Sequence, residues 1–591
     1  MADDALRGDL ANSTDPTKGA SLVGFDGGQV SDLLENLISL TDYSSLRSYS
    51  GIGKGVILQR SDISGTFRLD PQDTTTADNG GTVIVDSLGR RWIRSFGGPS
   101  QLRWFEPAGD GVADDTNKLL AWLNSYQNLE GCAGTYRVTG RMNLDGALTR
   151  TLRLDGKSML VVHDSADTQE IFRFNRFLHP EVRGMRIDGK KELKPVGNSQ
   201  SIGLNFYDCV APIVENNYVT NCQEHGIVIY YQLAHVTDGN GSHACVVNNF
   251  VEDCGTEVSE RGNGIWLFGD MIGNVVSNNR VSGCQEGIAI DDSSDDGPLR
   301  INEKNVMSGN VVTARNYACR YETGHESSIT GNVFICTGSP NYAVRNGIGL
   351  MFRAIQHADI PTGPGAISGN YIKAPRTGVE LASVRYVNVS GNMIIQSNDG
   401  NEVRTTRPQS AIDIYVWNQN LIPCDNLLIT GNHILSEGNG FYIGGLPPTG
   451  NPLVDNVNIT NNVIKQIGAD PGVANLAGIR TQYVSNIGIH NNQISNYLYG
   501  VQMFAGPGGT VDQLTSICDN VMRECGTAVS IGYGHGVLVR ANTTHKSTTA
   551  SISFYSGAAS SKSVCMDNVM FDFSVTGSGI QTPRANTLVT I

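Results

Sequence analysis

The chain has 591 residues and a formal charge of −14, which argues against a nucleic-acid-binding surface, since that needs clustered Lys and Arg. Sixty-nine glycines and only 17% charged residues point to turn-dense β structure, not to helices. No run of 18 apolar residues occurs, so no membrane-spanning helix is expected.

Residues 1–19 show no apolar pattern and read as a flexible tail without the apolar core of a secretory signal. "VSDLLENLISL" (Val30 to Leu40) repeats apolar residues at i, i+3, i+4, i+7 and i+8. That spacing predicts a short helix, packed within one subunit or against copies of itself. "VIVDSLGRRWIRSFGGPSQLRWF" (Val83 to Phe105) reads as strand, turn, strand. In "WFEPAGDGVADDTNKLLAWLNSYQN", Asp114, Asp115 and Thr116 offer caps, and Leu119, Leu120, Trp122 and Leu123 form an apolar stripe. A helix there suits the role of cap on a solenoid end. The expected boundaries are an N-terminal attachment and connector region over 1–95, a linker with capping helix over 96–135, and a parallel β-helix over 136–591.

That β-helix rests on a repeat. From about residue 200 the pattern apolar, x, Gly/Asn/Asp, Asn, x, apolar recurs, as in "VENNYV", "VSNNRV", "ITGNVF" and "CMDNVM". Its second turn residue is Asn217, Asn249, Asn279, Asn310, Asn332, Asn370, Asn392, Asn432, Asn462, Asn492, Asn520 and Asn568. Irregular spacings above a floor of 22 residues are what a solenoid gives when loops enter some coils. The amides of such residues can bond in a ladder from coil to coil at ~4.8 Å. Cys222, Cys254, Cys284 and Cys525 each fall five residues after the Asn and form an inward column. No CxxC pair occurs among the twelve cysteines, so they are expected reduced and buried. The fold class is all-β: a right-handed parallel β-helix with a small N-terminal region and a capping helix.

"GDGVADDTNKLLAWL", set just ahead of a long β-helix, resembles the lead-in motif of pectate-lyase-like phage tailspikes, and Val83 to Phe105 resembles their connector. The resemblance covers most of the chain from about residue 20. It implies a homotrimeric virion spike, made in the bacterial cytoplasm and attached to phage tail or adaptor proteins through its N-terminal region. Its implied activity is to bind, and usually depolymerise, a bacterial surface polysaccharide.

Alignment on the strand-opening Gly predicts one outward column of Tyr230, Phe268, Asp291, Arg320 and Met351. Trp266 falls in the column two residues earlier, and Asp270, Glu322 and Arg353 in the one two residues later. Aromatics with carboxylates and arginines suit sugars, so Tyr230, Trp266, Arg320, Glu322 and Arg353 are candidate substrate contacts. Asp270 and Asp291, ~8 Å apart by strand geometry, match the span of an inverting acid–base pair. Asp292 beside Asp291 can raise a carboxyl pKa. Glu380 and Asp413, ~5 Å apart in one column, form a second candidate pair continued by Tyr442 and Arg480, with Tyr415 and Trp417 near.

Polygalacturonases place three carboxylates where this chain has Asn263 and the "CQEG" of Glu286. Two of the three are absent, so that mapping is not adopted. A lyase stays open, with His225 and Tyr230 beside Arg320 or Arg353. Asp292, Ser294, Asp296, Gly297 and Glu303 have calcium-loop spacing, but their flanks are strands, not EF-hand helices. No cofactor and no structural metal are assigned.

Overall fold

A computed structural model describes residues 24–25, 28–29, 37–166, 170–195, 201–233, 235–236, 241–256, 262–291, 302–338, 347–354, 362–397, 409–416, 423–444, 454–468, 475–503, 512–532, 534–554, 563–571, 575–576 and 587–589. The chain falls into two units. The first comprises residues 1–144, 150–165 and 182–186; the second holds the remainder through residue 591.

The first unit carries a five-stranded sheet in the order β1 (Leu37–Leu40), β2 (Gly55–Leu58), β3 (Gly65–Asp70), β5 (Arg91–Ser95), β4 (Val83–Val85). All pairs are antiparallel except β1 with β2. The expected helix over Val30 to Leu40 is therefore corrected at its C-terminal end, where Leu37–Leu40 is a strand. Ile38 and Leu40 turn to the core with period 2 while Leu37 stays out. The register with Gly55–Leu58 supplies the backbone partners a lone helix turn would lack. Residues 30–36 lie outside the described residues.

The strand–turn–strand reading of Val83 onward holds as the β4–β5 hairpin, closed by Asp86 N donating to Arg90 O at 3.1 Å. Arg94 is buried beneath this sheet. Its guanidinium lies 4.6 Å from the Phe67 ring and 4.5 Å from that of Trp104, and Nη2 donates to Tyr43 Oη at 2.7 Å. Helix α1 (Tyr43–Arg47) and helix α2 (Thr116–Leu123) complete the unit with the first parallel strands. In α2 three residues of the predicted stripe, Leu119, Trp122 and Leu123, are buried, while the fourth, Leu120, is half-buried. Asp115, the N-cap residue, makes no side-chain cap bond and instead accepts from Ala108 N and Gly109 N, while Asp114 before it accepts from Thr116 N at 3.0 Å.

The second unit is a parallel β-helix, with successive coils paired strand to strand from Ile202 to Val569. Its corner is the Asn ladder. Each buried Asn donates its backbone N–H and its Nδ2 to the Oδ1 of the next, at 2.9–3.1 Å from Asn217 to Asn568. The residue before each ladder Asn has positive φ, which is why Gly, Asn or Asp stands there. The ladder has a thirteenth member that the pattern missed, Asn542, bonded to Asn520 and Asn568. Its preceding residue is Ala541, at φ 54°. Ala541→Gly relieves that conformation and should raise the unfolding free energy by about 1 kcal/mol, read from urea midpoints at an unchanged slope.

None of the twelve cysteines forms a disulfide; nine are buried, and Cys132, Cys245 and Cys518 are half-buried. Burial pushes the thiols of Cys209, Cys319 and Cys424 up, which suppresses the reactive thiolate. Native protein should take up a maleimide rapidly at no more than those three half-buried positions, and at all twelve once unfolded, by mass spectrometry.

Candidate functional site

One side chain in two on each outward strand face is set by a small residue at the strand's start. That slot is filled by Gly226, Gly264, Gly287, Ala318, Gly349, Gly378 and Ala411 in successive coils. A Cβ on Gly264 would come 2.3 Å from Val281 Cγ1, so the chain must be small there. The strands carrying the site are β6 (His225–Tyr231), β7 (Asn263–Gly269), β8 (Arg280–Asp291), β9 (Val311–Glu322), β10 (Ile348–Arg353), β11 (Thr377–Ala382) and β12 (Ser410–Tyr415).

This register corrects the predicted columns. "GIGL" offers two glycines, and the slot belongs to Gly349, not Gly347; the coil of β9 has no Gly and uses Ala318. Arg320 and Met351 therefore leave the Asp291 column. Arg320 pairs with Ala289, and Met351 with Arg320 and then Glu380. The resulting column runs Val228, Trp266, Ala289, Arg320, Met351, Glu380, Asp413, Tyr442 and Arg480. Tyr230, Phe268 and Asp291 share the next column, and Arg353 follows Glu322 in register. The two acidic clusters are thus parts of one band.

At its centre three carboxylates meet two guanidiniums. Arg320 Nη2 lies 2.6 Å from Asp291 Oδ2 and 2.9 Å from Glu286 Oε2, and its Nη1 lies 3.3 Å from Glu322 Oε2. Arg353 holds the other oxygen of Glu322 at 2.6 Å through Nη2 and 2.7 Å through Nε. Trp266 Nε1 donates to Asp291 Oδ1 at 3.0 Å. Asp291 is fully buried and Glu322 is 1% exposed. Two cations neutralise two of the three acids, so the third is favoured with its proton on. Burial pushes the Asp291 carboxyl up to about 7, aided by Glu322 and Glu286 against the pull of Arg320 and Trp266. Glu286 is raised for the same reason. Burial also works to raise Glu322, but Arg353 and Arg320 outweigh it and hold that carboxyl below its ordinary range.

Along the band, Glu380 and Asp413 stand on facing positions of β11 and β12 as expected. Asp413 accepts from Ser410 Oγ and, at 3.5 Å, from Thr377 Oγ1. Burial and the Glu380 charge push the Tyr415 hydroxyl well above its ordinary range. On the other side lies an aromatic row. Tyr230 stacks on Tyr207 at 4.5 Å and meets Phe268 at 5.2 Å; Trp266 meets Phe268 at 4.8 Å and His225 at 4.6 Å. Arg173 covers Tyr207 at 4.2 Å. Tyr230 is thus flanked by rings on two sides.

Asp270 lies just past β7, two residues beyond the Phe268 that pairs with Asp291, and its Oδ2 accepts from Leu233 N at 2.8 Å and ties a turn. Asp292, Trp417 and most of the calcium-like loop lie outside the described residues. Among the described residues, no group of three or more His, Cys, Asp or Glu is placed to hold a metal ion. Sequence reasoning met Glu286 only in the polygalacturonase mapping that it did not adopt, and passed over Tyr317. Glu286 stands one residue before a slot glycine, and Tyr317 one before Ala318, a coil whose missing Gly hid its frame.

A family model described as the phage tail protein small four-stranded β-sheet domain matches residues 39–97, and one described as a right-handed β-helix region matches residues 196–353. A tailspike protein variant of Escherichia coli bacteriophage HK620, solved with a pentasaccharide, superposes with TM-score 0.50 at 12% identity, over 88% of this chain and 84% of that one. The fold is a parallel β-helix like the one in that tailspike. The tailspike of Acinetobacter baumannii phage AM24 matches at 13% identity and TM-score 0.28, over 96% of this chain and 68% of that one. The Mu-like prophage FluMu defective tail fiber protein of Haemophilus influenzae is 42% identical over 77 residues. That match spans 13% of this chain and 11% of the relative. In this β-helix the charged band lies on the outer face of the longer sheet, and no helix among the described residues is long and apolar enough to cross a membrane.

Proposed function

We propose that this chain is a virion tail spike that binds a bacterial surface polysaccharide, capsular or O-antigen, along the charged band and cleaves it by glycosidic hydrolysis. The observation that carries the reading is the cluster of Glu286, Asp291 and Glu322 on Arg320 and Arg353. Burial favours a proton on Asp291, while Arg353 and Arg320 keep Glu322 ionised. A carboxylic acid beside a carboxylate is the pair that glycoside hydrolysis needs: one protonates the leaving oxygen, the other activates water or attacks the sugar. The acid is Asp291 and its partner Glu322, on neighbouring coils. Trp266 orients Asp291, and Arg353 with Glu380 and Asp413 offers hydrogen bonds to sugar hydroxyls or acidic groups. Asp270, which holds a turn, takes no part in the chemistry.

Elimination has less support. His225 is 3% exposed, its Nδ1 accepts from Asn263 N at 3.1 Å, and its Nε2 lies 3.6 Å from Glu224. A ring this buried, with Nδ1 already accepting from a backbone N–H, is a poor base for a sugar C–H proton. The same reading makes the protein a homotrimer whose N-terminal region joins the phage tail, in keeping with the tail-protein β-domain at residues 39–97.

Purified host capsule or O-antigen incubated with the protein should gain reducing ends and lose viscosity, without the ultraviolet band of an unsaturated uronate. Appearance of that band would replace hydrolysis by elimination. Tight binding with no new chain ends would leave a receptor-binding spike without catalysis.

A further inference from the structure

The Asn corner carries a surface that the glycan band does not use. On each coil four residues look outward around it: the fourth and second before the ladder Asn, the left-handed residue just before it, and the residue just after. Over the eight consecutive coils from Asn249 to Asn462 none of these thirty-two residues is buried. They include no Asp and no Glu, and their titratable members are Cys245, Arg280, Tyr371 and His433. For a chain of net charge −14 that is a long strip without carboxylates. Its edges are apolar: Val275, Val306 and Leu428 line one side at 37–41% exposure, and Phe250, Val311 and Tyr371 the other at 36–50%. Between them run small residues such as Ser308, Ser368 and Ser390.

Surfaces that face water seldom lose their charges this way, whereas the centres of protein interfaces do. Over these eight coils the strip is ~34 Å long at ~4.8 Å per coil; beyond them Glu215, Asp519 and Asp567 stand at the same positions. With a width of ~14 Å it presents ~480 Å², more than half of the ~800 Å² each partner gives to a standard interface. A surface that repeats at the coil spacing is matched along its whole length by another with the same spacing. A second copy of this chain running alongside in the same direction supplies one. Two strongly acidic copies also approach with least repulsion where neither bears carboxylates.

We propose that the Asn-corner strip is the face along which copies of this chain associate. The inference rests on the assembly part of the proposed function and names its surface; it is independent of catalysis. The test uses the full chain. Light scattering of the wild type should give a multiple of the one-chain mass, and Val311→Glu with Tyr371→Glu should dissociate it to the one-chain mass at micromolar concentration. Tyr386→Glu, at an exposed position outside the strip, should leave it assembled. For a readout that leaves folding intact, Ser368→Cys should react with maleimide at least tenfold more slowly in the assembled protein than in a dilute, dissociated sample. A wild type at the mass of one chain overturns both this face and the homotrimer. An assembly that survives the double substitution, with Ser368→Cys labelled at the free rate, overturns the face and leaves the homotrimer standing.

Discussion

Asp291→Asn should lower turnover on the host polysaccharide by ~10²–10⁴-fold while leaving KM within a few-fold of wild type. Asn keeps the shape of the side chain and can still accept from Trp266 Nε1, so the band stays assembled, but it has no acidic proton for the leaving oxygen. Glu322→Gln should cost a similar factor by removing the base or nucleophile. The wild-type pH profile should be bell-shaped. Activity falls on the alkaline side as Asp291, raised to about 7, loses its proton. It falls on the acid side as Glu322, held below the usual carboxylate range, gains one. In Asp291→Asn the alkaline limb should vanish with the activity. Reducing-end assays across pH decide this. Full activity of both variants, with Glu380→Gln or Asp413→Asn inactive, would move the chemistry along the band to β11 and β12.

The solenoid was legible because its corner needs special residues: a left-handed position restricts the choice to Gly, Asn or Asp, and the buried ladder fixes the Asn after it. Where the corner departs from that rule the signal fades, and Asn542 behind Ala541 was missed for this reason. The Glu380–Asp413 pairing could be read because Gly378 and Ala411 each stand plainly two residues ahead. The centre of the band could not. Its frame depends on Ala318 and on which glycine of "GIGL" fills the slot, and an error of two residues keeps a side chain outward while moving it a whole column. So the candidates Asp291, Arg320, Glu322 and Arg353 were correctly seen as outward, yet their mutual contacts and the part of Glu286 became visible only with the register. Likewise Leu37–Leu40 carries a helical spacing, but pairing with Gly55–Leu58 prevails over local pattern.

Arg320→Leu should be the most damaging single change in the band, lowering stability by ~3–5 kcal/mol at neutral pH. Leucine fills much of the volume, so the loss is electrostatic: Glu286, Asp291 and Glu322 would share the single remaining guanidinium of Arg353. The sign with pH follows from the direction of the shifts. Asp291 and Glu286 titrate higher in the fold than in the unfolded chain. Their contribution is therefore fully present below the unfolded value of 3.8 for Asp291 and fades as pH rises through about 7. Arg320 pulls both carboxyls down, so its removal drives their folded values higher and deepens the loss above that window. Near pH ~4, where Asp291 and Glu286, which titrate high, are protonated in the fold, the variant's gap from wild type should narrow to the lost packing and the lost contact with Glu322, which stays ionised. At pH ~8 its Tm should fall well below. Arg320→Lys should sit between the two, since an ammonium keeps the charge but cannot bridge three carboxylates as the planar fork does. An equal drop in Tm at both pH values would mean that Asp291 and Glu286 are not held by the charge of Arg320.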